Sequence, residues 1–206
     1  MIFRRYAAGA RLYDVLSGER FVYRAGRVAG IRIMNLRQGD VVLDLGCGTG
    51  LNFALLLAAV GPTGRVIGLD RSSEMLSVAR TRVKDNGWSN VTIVNADATN
   101  FNVTDIGGDQ VDAVIATYSL SVIRHWKSAW ANALAVMKPG ARALVVDMQV
   151  PSGGARIMSP LARAMCAFGG SDIRAHPWTS LEEQGTNVIS VTVKGNHIRA
   201  VAASVS

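Results

Sequence analysis

VVLDLGCGTGLN, residues 41–52, is the stretch on which the fold turns. Val41 to Leu45 is a short apolar run rich in β-branched residues, interrupted by one acid, Asp44, and it reads as a strand. Gly46, Gly48 and Gly50 follow at alternate positions, and the apolar run from Leu51 to Val60 reads as a helix. A strand that enters a glycine-rich turn and leaves as a helix forms a crevice at the carboxyl end of a parallel sheet. Backbone without Cβ atoms lets a ligand come close there. The spacing is G-x-G-x-G, not the G-x-G-x-x-G of nicotinamide enzymes. The Asp44 carboxylate ahead of the loop would oppose a pyrophosphate.

Outward from this stretch, strands and helices alternate. GPTG at 61–64 breaks the first helix, and RVIGLD at 65–70 is a second strand. Ser72 or Ser73 can cap the next helix, with Glu74 in its first turn and Met75, Leu76, Val78, Ala79 and Val83 on its apolar face. Strands are predicted over 91–97, 110–118 and 141–149. A helix is predicted over 126–137, stopped by Lys138-Pro139-Gly140. Two strand-like runs flank Gly195-Asn196, a two-residue hairpin signal. The expected architecture is α/β: a doubly wound, Rossmann-like, mostly parallel seven-stranded sheet with a C-terminal antiparallel hairpin. Residues 1–206 are expected to form a single domain. Its parts are a helical cap (1–40), a cofactor-binding core (41–149), a lid insertion (150–186) and the hairpin (187–206).

Two more acids stand at strand ends. Asp70 lies 20 residues beyond Gly50, where a carboxylate can accept from both ribose hydroxyls of an adenosine. Asp97, in NADA, suits a donor such as an adenine amino group. The segments VLDLGCGTG, VIGLDRSSEML, NADA, DAVIATYSLSVI and KPGARALVVD resemble the successive motifs of class I S-adenosylmethionine-dependent methyltransferases. The resemblance covers about residues 10–150. Tyr13-Asp14 and GCGTGLN further resemble quinone-biosynthesis and phospholipid N-methyltransferase-like members.

The resemblance implies S-adenosylmethionine as cofactor. It places Gly46, Cys47 and Gly48 along the methionine portion, with Asp44 fixing the loop or meeting the amino group through water. Asp70 would hold the ribose, Met75 or Arg71 would flank the adenine, and Asp97 and Ala98 would meet its edge. Thr117 and Tyr118 would lie near the methionine portion and the reacting methyl, and Tyr13 would close the pocket.

A base is needed only for a hydroxyl or acidic-carbon acceptor. Among His125, His176, His197, Asp147 and Tyr118, the catalytic candidates are Tyr118, at the end of the fourth strand, and His125, just after it. Cys47 reads as a small loop residue and Cys166 as buried. Two cysteines without zinc-ligand spacing leave no metal site to expect. TYSLS after the fourth strand is not the Asn/Asp-Pro-Pro-aromatic motif of nucleic-acid amino methylation. No Pro-Cys nucleophile and no double-glutamate loop stands in the sequence. Small-molecule or lipid-like acceptors remain, and nucleic acid is not the expected partner. The alternatives are transfer of an aminocarboxypropyl or aminopropyl arm, or a non-catalytic cofactor-binding regulator.

With 206 residues, 49% hydrophobic and 18% charged, the composition is that of a globular chain and excludes collagen-like or disordered classes. Eight arginines against Asp14, Glu19 and Asp40 give residues 1–40 a net charge of +5 of the total +7. That basic segment is either a solvated face or an anionic-surface contact. The apolar insertion at 155–170, with Arg156 and Arg163, is either a lid or a membrane-surface contact. No run approaches ~20 apolar residues, so a cytoplasmic protein is expected, with peripheral membrane attachment as the variant. Oligomeric state is not legible.

Overall fold

The structure is a computed structural model and describes residues 23–160, 166 and 170–205. The elements run α1 (Tyr23–Met34), β1 (Val41–Leu45), α2 (Phe53–Val60), β2 (Arg65–Asp70), α3 (Ser73–Asp85), β3 (Val91–Asn95), β4 (Val111–Thr117), α4 (Trp126–Ala135), β5 (Met137–Met148), α5 (Thr179–Gln184), β6 (Thr186–Val193) and β7 (Ile198–Ser204). The seven strands form one sheet in the order β3-β2-β1-β4-β5-β7-β6. The pairs from β3 through β5 are parallel, and β7 runs antiparallel between β5 and β6. Strand order reverses between β1 and β4. In open α/β sheets that switch point is where the strand ends splay and a crevice forms.

The period of two along each strand sorts the core into two layers. Val42, Val66, Ile115, Leu144 and Ala202 face Ile31 and Met34 of α1, Phe53 and Leu56 of α2, and Leu76 of α3. Leu43, Ile67, Val114, Val145 and Val201 face the other way, onto Ala129 and Trp130 of α4 and Leu181 of α5. Both faces are therefore covered, as a parallel sheet requires. Helix α3 starts as its sequence predicts: Ser72 caps it by accepting the Met75 N–H.

Three details depart from the sequence expectation. Helix α4 ends at Ala135, because Met137 pairs with Val111 and is drawn into β5. Lys138-Pro139-Gly140 is not a helix stop ahead of the strand. It lies inside β5, where the register shifts between Val111 and Ala113, and Gly140 has φ 74°. Extra residues of this kind form a bulge that tolerates a proline. The hairpin turn is also longer than two residues. The last pair is Val193 with Ile198, and Lys194, Gly195 and Asn196 all have positive φ.

Helix α1 lies close to the sheet through Gly26 and Gly30. A Cβ on Gly30 would stand 2.5 Å from a Val146 methyl, and one on Gly26 would stand 2.1 Å from the Tyr118 hydroxyl. The small residues four apart let the helix sit down on β5 and onto the end of β4. Nothing in the sequence reading singled them out, although their spacing was visible.

Candidate functional site

The glycine loop closes on β2. Gly46 and Cys47 both donate backbone N–H groups to the Leu69 carbonyl, at 2.8 and 3.0 Å. Gly48 donates its N–H to Asp70 at 2.9 Å, and Ser72 donates its own to the other Asp70 oxygen at 2.8 Å. Burial raises the Asp70 carboxyl, against the pull of these two N–H bonds. A Cβ on Gly48 would meet nothing within 4 Å, so open space lies beside the loop. By contrast, Gly46 is pressed against Ser119, whose hydroxyl donates to the Leu45 carbonyl at 2.7 Å. Loop, β1 and the turn after β4 are thereby locked together.

Asp44 is fully buried on β1. Its two oxygens accept from Asn52 Nδ2 at 2.9 and 3.0 Å, and Asn52 also donates to Thr117 Oγ1 at 2.9 Å. Arg27 of α1 reaches the same place, with Nη1 donating to Thr117 Oγ1 at 2.6 Å and to Asn52 Oδ1 at 3.1 Å. Burial pushes Asp44 up to about 7, while Asn52 and the Arg27 charge pull it down. Asp44, Asn52, Thr117 and Arg27 thus join β1, α2, β4 and α1 in one polar cluster. Arg27 and Asn52 had gone unnoticed in the sequence. Asn52 stands at the helix start two residues after Gly50, a position that could have drawn attention to it.

Asp97 lies two residues beyond β3, not in it. Its Oδ1 accepts from the Thr99 N–H at 2.8 Å and from the Thr99 hydroxyl at 2.7 Å, which lowers its pKa. Arg71 pairs with it at 4.0 Å, both side chains about half exposed. Ala98 and Met75 are buried. Asp44, Asp70 and Asp97 therefore stand at the carboxyl side of three adjacent strands, as their sequence positions imply.

Tyr118 sits in the left-handed region with φ 57°, a conformation that costs a non-glycine residue about 1–3 kcal/mol. Its hydroxyl donates to the Tyr23 carbonyl at 2.9 Å, its ring meets Tyr23 edge-on at 4.9 Å, and Arg27 lies 5.1 Å from its centroid. The hydroxyl thus ties α1 to the end of β4, a positioning arrangement. His125 is exposed at the start of α4 and makes no capping bond. His176 stacks on Trp178 at 4.9 Å, and His197 Nδ1 lies 2.7 Å from the Gln149 carbonyl. Asp147 is fully buried and accepts from the Ser121 N–H, the Ser121 hydroxyl and the Met148 N–H. It holds the turn after β4, and burial raises it to about 6. Burial raises the Cys47 thiol far out of the reactive range, consistent with a loop-filling role. Tyr13 and most of the segment at 161–169 lie outside the described residues.

The raised acids set a pH dependence. Asp44 and Asp147 hold protons in the folded chain that they release near pH 4 when unfolded. Their contribution to stability is full below pH 4 and is lost as pH rises through 6 and 7. Each factor of ten in proton affinity is worth about 1.4 kcal/mol. The ligand-free protein is therefore expected to be less stable at pH 8 than at pH 5, by on the order of 4 kcal/mol. Thermal melts across that range check this, and a flat or rising profile contradicts it.

Residues 42–140 match a family model described as "Methyltransferase domain". The "Ubiquinone/menaquinone biosynthesis C-methyltransferase UbiE" of Pseudomonas fluorescens (strain SBW25) is 36% identical over 140 residues, 68% of this chain and 53% of that protein. Residues 42–140 belong to the methyltransferase domain family. S-adenosylmethionine is the cofactor of this family. The protein of the same name from Ectopseudomonas mendocina (strain ymp) is 36% identical over 139 residues, 67% of this chain and 52% of its own length. The chain thus spans about half the length of the curated relatives it matches.

Two solved structures show the fold. A "SAM dependent methyltransferase from Aquifex aeolicus" superposes with TM-score 0.66 at 20% identity, covering 87% of this chain and 89% of that one. The putative methyltransferase from a Haloferax volcanii complex with the Trm112 activator reaches 0.69 at 16% identity, covering 99% and 98%. Among the described residues, no helix of this methyltransferase is long and apolar enough to cross a membrane.

Proposed function

We propose that this chain transfers a methyl group from S-adenosylmethionine to a small, apolar, quinone-like acceptor. One observation carries the cofactor half. Asp70 is turned into the glycine loop beside Gly48, and the space a Gly48 side chain would fill is empty of protein. The residues fit the group: Asp70 suits the ribose hydroxyls, and Gly46, Cys47 and Gly48 the methionine backbone. Met75, Arg71, Asp97 and Ala98 stand on the adenine side, and Thr117 and Asp44 on the amino-acid side.

When bound, the cofactor supplies an electrophilic methyl on a sulfonium whose positive charge already activates the leaving group. The protein's task is to hold the acceptor on the transfer axis and to exclude water. Tyr118 and Tyr23 pack against Met148, Cys166 and Ile173 with Val150, an apolar cluster at the carboxyl ends of β4 and β5. That cluster supports an apolar acceptor, as do the relatives named for quinone biosynthesis. An acceptor that brings its own acidic hydroxyl fits such a wall. Ile157, 85% exposed beside Arg156, supports a weak membrane-surface contact by the insertion at 150–186.

Methyl-labelled S-adenosylmethionine incubated with a demethylated quinol is expected to give a product heavier by one CH₂ unit. A larger increment would mean aminocarboxypropyl or aminopropyl transfer, and nucleic acid retained without turnover would mean a regulator.

Asp70→Ala removes two charge-assisted contacts to the ribose and is expected to weaken S-adenosylhomocysteine binding by about 2–3 kcal/mol. Calorimetry reads this directly. Tight binding of a nicotinamide dinucleotide in place of the adenosyl ligand would sink the reading.

A further inference from the structure

The buried acid near the end of β5 holds more than its own strand. Asp147 is fully buried and accepts from the Ser121 N–H at 3.1 Å, the Ser121 hydroxyl at 2.8 Å and the Met148 N–H at 2.9 Å. Ser121 is itself buried, in the short 3₁₀ turn Leu120–Val122 that follows β4. Its carbonyl accepts the Asp172 N–H at 2.9 Å, from the segment that leads out of the insertion toward α5. That segment is tightly turned: Asp172 Oδ1 accepts from the Arg174 N–H at 2.9 Å, and the Asp172 carbonyl accepts from the Ala175 N–H at 3.0 Å. Ile173, inside this turn, is buried against Met148 and Cys166 in the apolar cluster that Tyr23 and Tyr118 complete. One carboxylate thus reaches two parts of that cluster. It holds Met148 through its backbone N–H, and Ile173 through Ser121 and Asp172.

Burying an acid to hold a turn costs desolvation that an apolar residue avoids. Val145 and Ala143, two and four residues before Asp147 on the same face of β5, are buried apolar side chains, and another would continue their layer. What the carboxylate adds is a rigid pair of acceptors for a turn that presents both its N–H and its hydroxyl inward. The turn is thereby fixed in one geometry, with its carbonyl aimed at Asp172. We propose that Asp147 is a positioning residue for the methyl acceptor: through Ser121 and Asp172 it fixes Ile173 opposite Met148, and so shapes the apolar wall that receives the acceptor. This rests on the acceptor reading above and adds a residue to it. Asp147 acts from behind the wall, because its side chain points with Val145 toward α4, while Met148 beside it points toward Tyr23 of α1.

The test separates placement of the wall from stability of the fold. Asp147→Asn, Asp147→Ala, Ile173→Ala and the double variant Asp147→Asn with Ile173→Ala are compared with the full wild-type chain. Calorimetry is expected to show unchanged S-adenosylhomocysteine binding in Asp147→Asn, which reports an intact cofactor crevice. With a prenylated 1,4-naphthoquinol as methyl acceptor, Asp147→Asn is expected to raise KM about tenfold and to lower kcat far less. Asn keeps one acceptor oxygen for Ser121, so its KM lies between those of the wild type and Asp147→Ala. Hydrogen exchange is expected to quicken at the Asp172 and Ile173 amides and to stay unchanged in β1 and β4. The double variant is expected to match Ile173→Ala in KM, because both residues act on one placement. An unchanged KM in Asp147→Asn overturns the proposal, and so does full additivity with Ile173→Ala. A loss of S-adenosylhomocysteine binding in Asp147→Asn also overturns it, since the acid then holds the fold as a whole. A wild-type chain that binds S-adenosylhomocysteine but does not methylate the naphthoquinol overturns the acceptor reading and this proposal together.

Discussion

Gly48→Val is expected to weaken S-adenosylhomocysteine binding about a thousandfold, or about 4 kcal/mol, while the domain stays folded. Gly48 has φ +55°, and an added Cβ meets no protein atom within 4 Å. The protein itself therefore has room for the side chain and loses only the strain of a branched residue in the left-handed region, about 1–3 kcal/mol. The ligand has no such room, because the branched group stands in the space beside the Asp70 carboxylate. Calorimetry reads the loss of binding, and a melt only a few degrees lower shows the retained fold. Undiminished binding by this variant would show that the loop does not cradle the ligand.

Phe53→Ala acts on stability instead. Phe53 is fully buried at the start of α2. A Cβ on Gly50 would lie 2.5 Å from its ring, and one on Gly68 of β2 would lie 2.6 Å from it. The ring thus fills the gap between loop and sheet, and two glycines make way for it. Removing it leaves a cavity that neither glycine can fill, with an expected cost of about 3–5 kcal/mol. For a chain of this size that corresponds to about 8–15 °C in melting temperature. Denaturant unfolding measures it, and a loss below about 1 kcal/mol would mean that the loop collapses onto β2 without the ring.

These two residues differ in how they can be found. Gly48 announces itself, because glycines at alternate positions after a strand have few other uses. Phe53 looks like any apolar residue in a helical run, and only the packed structure shows that Gly50 and Gly68 are shaped around it. The same contrast holds for charge. Asp44, Asp70 and Asp97 are visible because each interrupts, ends or follows an apolar run, where a charge is out of place unless it has work to do. Arg27 is one of eight arginines in the first forty residues, and nothing local separates it from its neighbours. Tyr118 and His125 look alike as candidates after the fourth strand. The structure ties one to Tyr23 and leaves the other exposed on α4.

Local pattern alone determined the order of strands and helices, the parallel core with its terminal hairpin, the glycine crevice and the three strand-end acids. Each of these depends on residues within about ten positions of one another, the range over which strand period, glycine turns and capping act. The tertiary structure decided what depends on contacts between distant segments. It seated α1 through Gly26 and Gly30 on β5 and the end of β4. It put Arg27 against Thr117, 90 positions away in the chain, and bulged Lys138-Pro139-Gly140 into β5. Such contacts form because buried polar groups must find partners and buried side chains must fill space. Which partner each one finds depends on how the whole sheet and its helices stack, and no local window contains that information.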